Sequence, residues 1–172
     1  MTDASSVTAL RLTRLLLRIL IVLNILGGIL LGCAFVASFL FSQVLVDYCA
    51  QNGFDAGILI PTLRIVLVTA PAVVVALHIV FKRLLEIIGT VQQGDPFVSE
   101  NAAHLRTIAW CLMVAQIYDL LFLAFVRIAA VADADIDWDF SLNGWLAVLL
   151  AFVLAKVFEH GARMRDDLGA MI

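Results

Sequence analysis

The apolar residues of this chain fall into four long runs that are separated by shorter polar segments. The runs cover about residues 16–44, 58–81, 107–126 and 142–158. A helix needs about 20 mostly apolar residues to cross the hydrocarbon core of a bilayer, and each run is close to or beyond that length. The pattern therefore predicts an all-α membrane protein, a single domain over residues 1–172 with four transmembrane helices.

The polar segment 84–106 predicts a helical hairpin between the second and third spans. Its apolar side chains first recur at helical spacing, and Gly94 then supplies a helix C-cap. Asp95 and Pro96 follow as a turn, and Ser99 is expected to cap the next helix. Two helical arms joined by a tight turn are therefore the expected structure.

The helical pattern continues beyond the fourth span, over residues 159–172. Apolar and charged side chains fall on opposite sides of a helix there, which predicts a short C-terminal amphipathic helix. Such a helix lies on the membrane surface or packs against the hairpin, and the pattern leaves both possibilities open.

Composition agrees with the membrane class and limits the partners. The chain is 63% hydrophobic and 15% charged, with a mean hydropathy of +1.06, whereas a soluble domain is only about half apolar. Its net charge of −3 does not argue for a nucleic-acid partner, so no direct nucleic-acid binding is expected. The lipid bilayer is the expected environment.

The distribution of basic residues predicts the orientation. The segments before the first span, between the second and third, and after the fourth hold most of them: Arg11, Arg14, Arg18, Lys82, Arg83, Arg106, Lys156, Arg163 and Arg165. The opposite side has only Arg64 and Arg127. Because cytoplasmic loops carry the excess of Lys and Arg, both termini and the hairpin are expected in the cytoplasm.

Four polar residues are predicted to lie within the membrane, as a cluster of Asn24, Arg64, Gln116 and Asp119. A carboxylate at that depth costs about 3 kcal/mol, so Asp119 is expected to be paired or protonated. Arg64 is the expected partner at a similar depth, with Arg127 as the alternative. The cluster serves either as a structural pin between helices, which we favour, or as a proton or ion relay.

Gly28 and Gly32 form a G-x-x-x-G pair on the first span, with Asn24 one turn earlier on the same face. Such a face lets another helix approach closely. It serves either a homo-oligomer or packing inside the chain's own bundle, and we favour the second.

Catalytic and metal-binding patterns are missing from the sequence. His78, His104 and His160 have no ligand spacing, and the acidic run that begins at Asp133 is not a calcium loop. Such a loop needs glycine and glutamate where Trp138 and Gly144 stand. We therefore expect no enzyme, no metal and no cofactor.

Two motifs resemble the signature of a bacterial membrane-protein family called domain of unknown function 2975. They are Gly94-x-Pro96-Phe97 with Asn101 and Leu105-Arg106-x-Ile108, and Val157-Phe158-x-x-Gly161-x-x-Met164. The resemblance implies four membrane helices with a hairpin between the second and third, in the bacterial cytoplasmic (inner) membrane. It also implies a helix-turn-helix transcription regulator as a partner. The family it resembles has no established activity.

Two functions are consistent with these observations. The first, which we prefer, is a membrane-anchored regulatory or adaptor protein that presents its cytoplasmic hairpin to a soluble partner. The candidate interaction residues are Gly94, Pro96, Phe97, Asn101, His104 and Arg106. The alternative is a small oligomeric transporter or channel that uses the mid-membrane cluster.

Overall fold

The computed structural model describes residues 4–131 and 141–169, and all regular secondary structure in these ranges is helical. The five helices are α1 (Ala4–Leu40), α2 (Ser42–Asn52), α3 (Ala56–Gln92), α4 (Ser99–Val131) and α5 (Leu142–Gly169). The acidic run from Asp133 to Asp139 lies outside the described residues.

Four helices are long and apolar enough to cross a membrane. The qualifying segments are Leu10–Leu40, Ala56–Gln92, Ser99–Ile128 and Leu142–Arg165. Each contains the greater part of one predicted span. The predicted four-helix, multi-pass membrane architecture therefore agrees with the length and apolar character of these helices.

The end of the first predicted span is wrong. We expected the first membrane helix to run to residue 44, but α1 ends at Leu40 and α2 is helical from Ser42 to Asn52. The backbone at Phe41 (φ −109°, ψ 30°) separates the two helices, and Gly53 (φ 76°) ends α2. Hydropathy cannot reveal the first break, because the residues on both sides of it are apolar.

The C-terminal amphipathic helix is not a separate element in the structure. The predicted fourth span and the predicted tail helix are parts of α5, which is continuous from Leu142 to Gly169. Gly161 lies inside α5 without ending it, because a glycine ends a helix only where the backbone turns left-handed. The second predicted span likewise continues without a break to Gln92.

The long helices pack in chain order, with α1 on α3, α3 on α4 and α4 on α5. A core cluster lies where the last three meet, with Val80, Leu105, Ile108 and Ala155 all buried. Leu84 and Ile87 pack against this cluster. The best-packed part of the described chain is therefore near the connection between α3 and α4.

Candidate functional site

The chain reverses direction between α3 and α4 by a hydrogen-bonded turn centred on Gly94. The N–H of Gly94 donates to the carbonyl of Val91, and the N–H of Asp95 donates to the carbonyl of Thr90. The N···O distance is 3.1 Å in both bonds. This pair of bonds is the Schellman motif, which requires a left-handed residue after the helix. Gly94 has a φ of +84°, so glycine is the residue that adopts this conformation without strain.

Asn101 holds the turn together from inside. Its side chain is fully buried, and its amide nitrogen donates to the Thr90 hydroxyl (2.7 Å) and to the Pro96 carbonyl (2.8 Å). Its backbone N–H donates to the carbonyl of Val98 (3.0 Å). One buried side chain therefore connects the end of α3, the turn and the start of α4.

Phe97 packs the turn against α5. Its ring centroid lies 5.3 Å from that of Phe158. A Cβ added at Gly161 would lie 3.0 Å from Cδ1 of Phe97, which is tighter than ordinary van der Waals contact. Gly161 therefore provides the space in which the Phe97 ring lies.

An ion pair adds a polar contact between the same two elements. Arg165 on α5 donates to the carboxylate of Asp95 in the turn, and its guanidinium lies 3.5 Å from the Phe97 carbonyl. Asp95 and Arg165 are 70 residues apart in sequence. We call residues 93–98 together with the facing α5 residues 156–165 the turn platform.

His104 lies on the α3 side of α4, near the turn platform. Its Nδ1 is 3.5 Å from the Glu86 carboxylate and 3.4 Å from the Arg83 guanidinium, and these two α3 residues form an ion pair at 2.8 Å. His104 therefore links α4 to α3. Arg106, by contrast, is exposed and lies between α4 and α5.

A mostly apolar groove of about 860 Å³ opens beside the turn platform. Phe97, Val157 and Met164 contribute apolar walls, and Lys156 and His160 lie at its border. Most of its lining residues belong to α5, between Phe152 and Arg165.

The predicted mid-membrane residues Asn24, Arg64 and Gln116 do not all lie at the same helix interface. Asn24 on α1 donates to the carbonyl of Val74 on α3 (2.9 Å). Arg64 on α3 donates to the carbonyl of Ser38 (2.8 Å). Gln116 lies elsewhere, at the α4–α5 interface, where its amide occupies the space next to Gly144.

Arg64 also makes an aromatic contact, because its guanidinium lies 4.1 Å from the centre of the Phe39 ring. The two contacts of Arg64 are therefore both to the C-terminal end of α1. The predicted pairing of Arg64 with Asp119 stays a prediction.

The two glycines of the G-x-x-x-G pair differ in their surroundings. A Cβ added at Gly28 would lie 2.9 Å from Cγ1 of Val74, whereas Gly32 has nothing within 4 Å. With the bond from Asn24 to the Val74 carbonyl, Gly28 belongs to the α1–α3 interface of the chain itself.

Sequence reasoning missed several partners at this end of the molecule. Thr90, Glu86 and Arg165 were not singled out, although each binds a residue of the turn or of α4. A threonine shortly before a helix-ending glycine is a weak signal for Thr90. The contacts of Arg165 leave no local signal, because they join distant parts of the chain.

Comparison with known proteins identifies one family. Residues 45–172 match the family model described as "Protein of unknown function (DUF2975)", as the two motifs predicted. The match covers α3, α4, α5 and most of α2. No curated protein and no solved structure matches the chain.

Proposed function

The chain belongs to the DUF2975 family, and on that premise we propose that it is a membrane-anchored regulatory or adaptor protein. In this proposal the turn platform is the docking surface for a soluble partner, such as a helix-turn-helix transcription regulator. The protein lies in the bacterial cytoplasmic membrane, with the turn platform and both termini on the cytoplasmic side.

The observation that supports this function most strongly is the buried Asn101 at the centre of the turn. A side chain with no exposed surface and two donated hydrogen bonds fixes the turn before any partner arrives. Binding to a preformed surface avoids much of the entropy cost of ordering a loop.

The groove beside the turn favours a partner that presents an amphipathic helix. An amphipathic helix binds by placing its apolar face into such a groove. Phe97 is 45% exposed and Met164 53% exposed, so both remain available to another molecule. Arg163 and Lys156 on the same part of α5 are 71% and 81% exposed, which favours a partner helix with acidic residues at its edges.

Charge distribution supports the orientation. Nine of the eleven Lys and Arg residues belong to the side of the chain that contains the turn platform. Short loops with such an excess stay in the cytoplasm during insertion. A soluble regulator in the cytoplasm therefore has access to the platform.

The contacts within the spans favour the adaptor over the transporter or channel. Asn24 and Arg64 each donate to a backbone carbonyl of a neighbouring helix, so these groups stabilise helix packing. Gln116 lies at a different interface from both. A transport pathway needs polar groups that face a common cavity, whereas Asn24 and Gln116 lie at the α1–α3 and α4–α5 interfaces.

Photocrosslinking in cells tests the adaptor function. A photoreactive amino acid replaces Gln93, which is exposed in the turn, and the control replaces Gln51, which is exposed near the opposite end of α3. We expect Gln93 to capture a soluble DNA-binding protein that Gln51 does not capture. Capture of only lipid and other copies of the chain from Gln93 would overturn the proposal.

A further inference from the structure

A second depression, of about 320 Å³, lies between α4 and α5. Its charged lining comes from Arg106 on α4 and from Lys156, Glu159 and Arg163 on α5. We call it the α4–α5 cleft. The turn residues 93–98 do not line it, but Phe152 and Lys156 line both this cleft and the groove of the turn platform.

The α4–α5 cleft carries an excess of positive charge. Glu159 accepts hydrogen bonds from Lys156 (3.0 Å) and Arg163 (2.6 Å), and Arg106 lines the same cleft. Three cations and one carboxylate give a local charge of 3 − 1 = +2. Lys156 and Arg163 are 81% and 71% exposed, so their remaining N–H groups are open to an incoming ligand. The cleft therefore favours an anion.

Apolar and aromatic residues form the membrane side of the cleft. Ala102, Ala155 and Ala162 are buried at its base, where their small side chains let the two helices approach closely. The rings of Trp110 and Phe152 meet edge to face at 5.4 Å, one turn further toward the membrane. Tryptophan is enriched at the level of the lipid headgroups. The cations are therefore close to the depth at which phospholipid phosphates lie.

We propose that the α4–α5 cleft binds an anionic phospholipid. The headgroup phosphate contacts Arg106 and Arg163, and the acyl chains extend along Trp110 and Phe152. Basic pockets between membrane helices on the cytoplasmic side recognise acidic headgroups in this way. A free phosphate lacks the chains that fill the aromatic part of the site, so the source of the phosphate is a lipid. Lys156 and Arg163 also belong to the turn platform, so the lipid proposal is tested on the isolated chain, with no soluble partner present.

Native mass spectrometry of the full chain in detergent tests the proposal. The protein is titrated with phosphatidylglycerol, with phosphatidylcholine of the same acyl chains, and with inorganic phosphate. We expect phosphatidylglycerol to bind more tightly than phosphatidylcholine, with no competition from inorganic phosphate. Equal binding of the two lipids, or displacement of phosphatidylglycerol by inorganic phosphate, would overturn the proposal.

Variants locate the site. Arg106→Gln and Arg163→Gln are each expected to weaken phosphatidylglycerol binding about fivefold, the usual contribution of one cation near a membrane surface. Lys82→Gln, the control, removes an exposed cation from α3 outside the cleft and is expected to leave binding unchanged. An equal loss in all three variants would contradict a specific site. The shift in Tm on adding phosphatidylglycerol gives a second readout in the same proteins.

Discussion

Asn101 is joined to Thr90 by a hydrogen bond of 2.7 Å from its amide nitrogen to the threonine hydroxyl. The two residues belong to different helices, and the hydroxyl in turn donates to the Ile87 carbonyl (2.8 Å). The bond therefore connects the first turn of α4 to the backbone of α3. The geometry of the turn platform depends on this buried link.

Replacing Asn101 with alanine is expected to destabilise the protein by about 1–3 kcal/mol. The change removes two donated hydrogen bonds and leaves the partly buried Pro96 carbonyl without its side-chain donor. Equilibrium unfolding in mixed detergent micelles measures the free energy of unfolding.

The control for this variant is Gln93→Ala, which changes an exposed side chain of the same turn. It is expected to stay within about 0.5 kcal/mol of the unmodified protein. If Asn101→Ala is as stable as Gln93→Ala, the side chain of Asn101 does not hold the turn.

The two glycines of α1 are expected to respond differently to alanine. A methyl group at Gly28 meets the stiff, β-branched side chain of Val74, so Gly28→Ala should lose about 1–2 kcal/mol of stability. Gly32 has open space, so Gly32→Ala should be neutral or stabilising by at most about 1 kcal/mol. Thermal unfolding of the two variants side by side checks this. A greater loss at Gly32 would indicate that this face contacts a second copy of the chain.

Variants of Gly144 and Gln116 test the contact between α4 and α5. A Cβ at Gly144 meets the amide at the flexible end of the Gln116 side chain, which can move aside, so Gly144→Ala is expected to lose only about 0.5–1 kcal/mol. Shortening the facing side chain in the double variant Gln116→Ala, Gly144→Ala should recover most of this loss. A double-mutant cycle gives the coupling free energy, which is expected to exceed about 0.5 kcal/mol. Additive effects would show that the two residues do not contact each other.

Sequence patterns were sufficient for the four long apolar helices and for the position of the turn. Apolar runs set the four helices because each must match the membrane thickness, and Gly94 identified the turn because few other residues adopt a left-handed backbone. The break at Phe41 was missed since it changes the backbone without changing polarity. The continuity of α5 was missed because a helix that leaves the membrane changes its surface pattern without ending.

Contacts between distant residues were beyond the sequence. Counting residues along a helix gives the depth of a side chain but not the direction in which it points around the bundle. Asn24 and Gln116 were grouped by depth, whereas the structure places them at the α1–α3 and α4–α5 interfaces. The pairing of Asp95 with Arg165 could not be predicted for the same reason, because it depends on how α5 packs against the turn.

Sided labelling of cysteines tests the proposed orientation. In a chain whose own cysteines are replaced by alanine, Gln51→Cys and Gln93→Cys place one thiol near each end of α3. A membrane-impermeant maleimide added to intact spheroplasts is expected to label position 51, and to label position 93 only after the membrane is opened. Labelling of position 93 in intact spheroplasts would reverse the orientation and rule out a cytoplasmic partner at the turn platform.

The central claim is that the turn platform docks a soluble partner, and the variant Phe97→Ala tests it most directly. The change removes the ring that packs on Phe158 and forms a wall of the groove. The measurement is the yield of the photocrosslink from Gln93 to the soluble protein, at equal amounts of folded chain. We predict that Phe97→Ala lowers this yield to the level seen from Gln51. An unchanged yield in Phe97→Ala would contradict the claim.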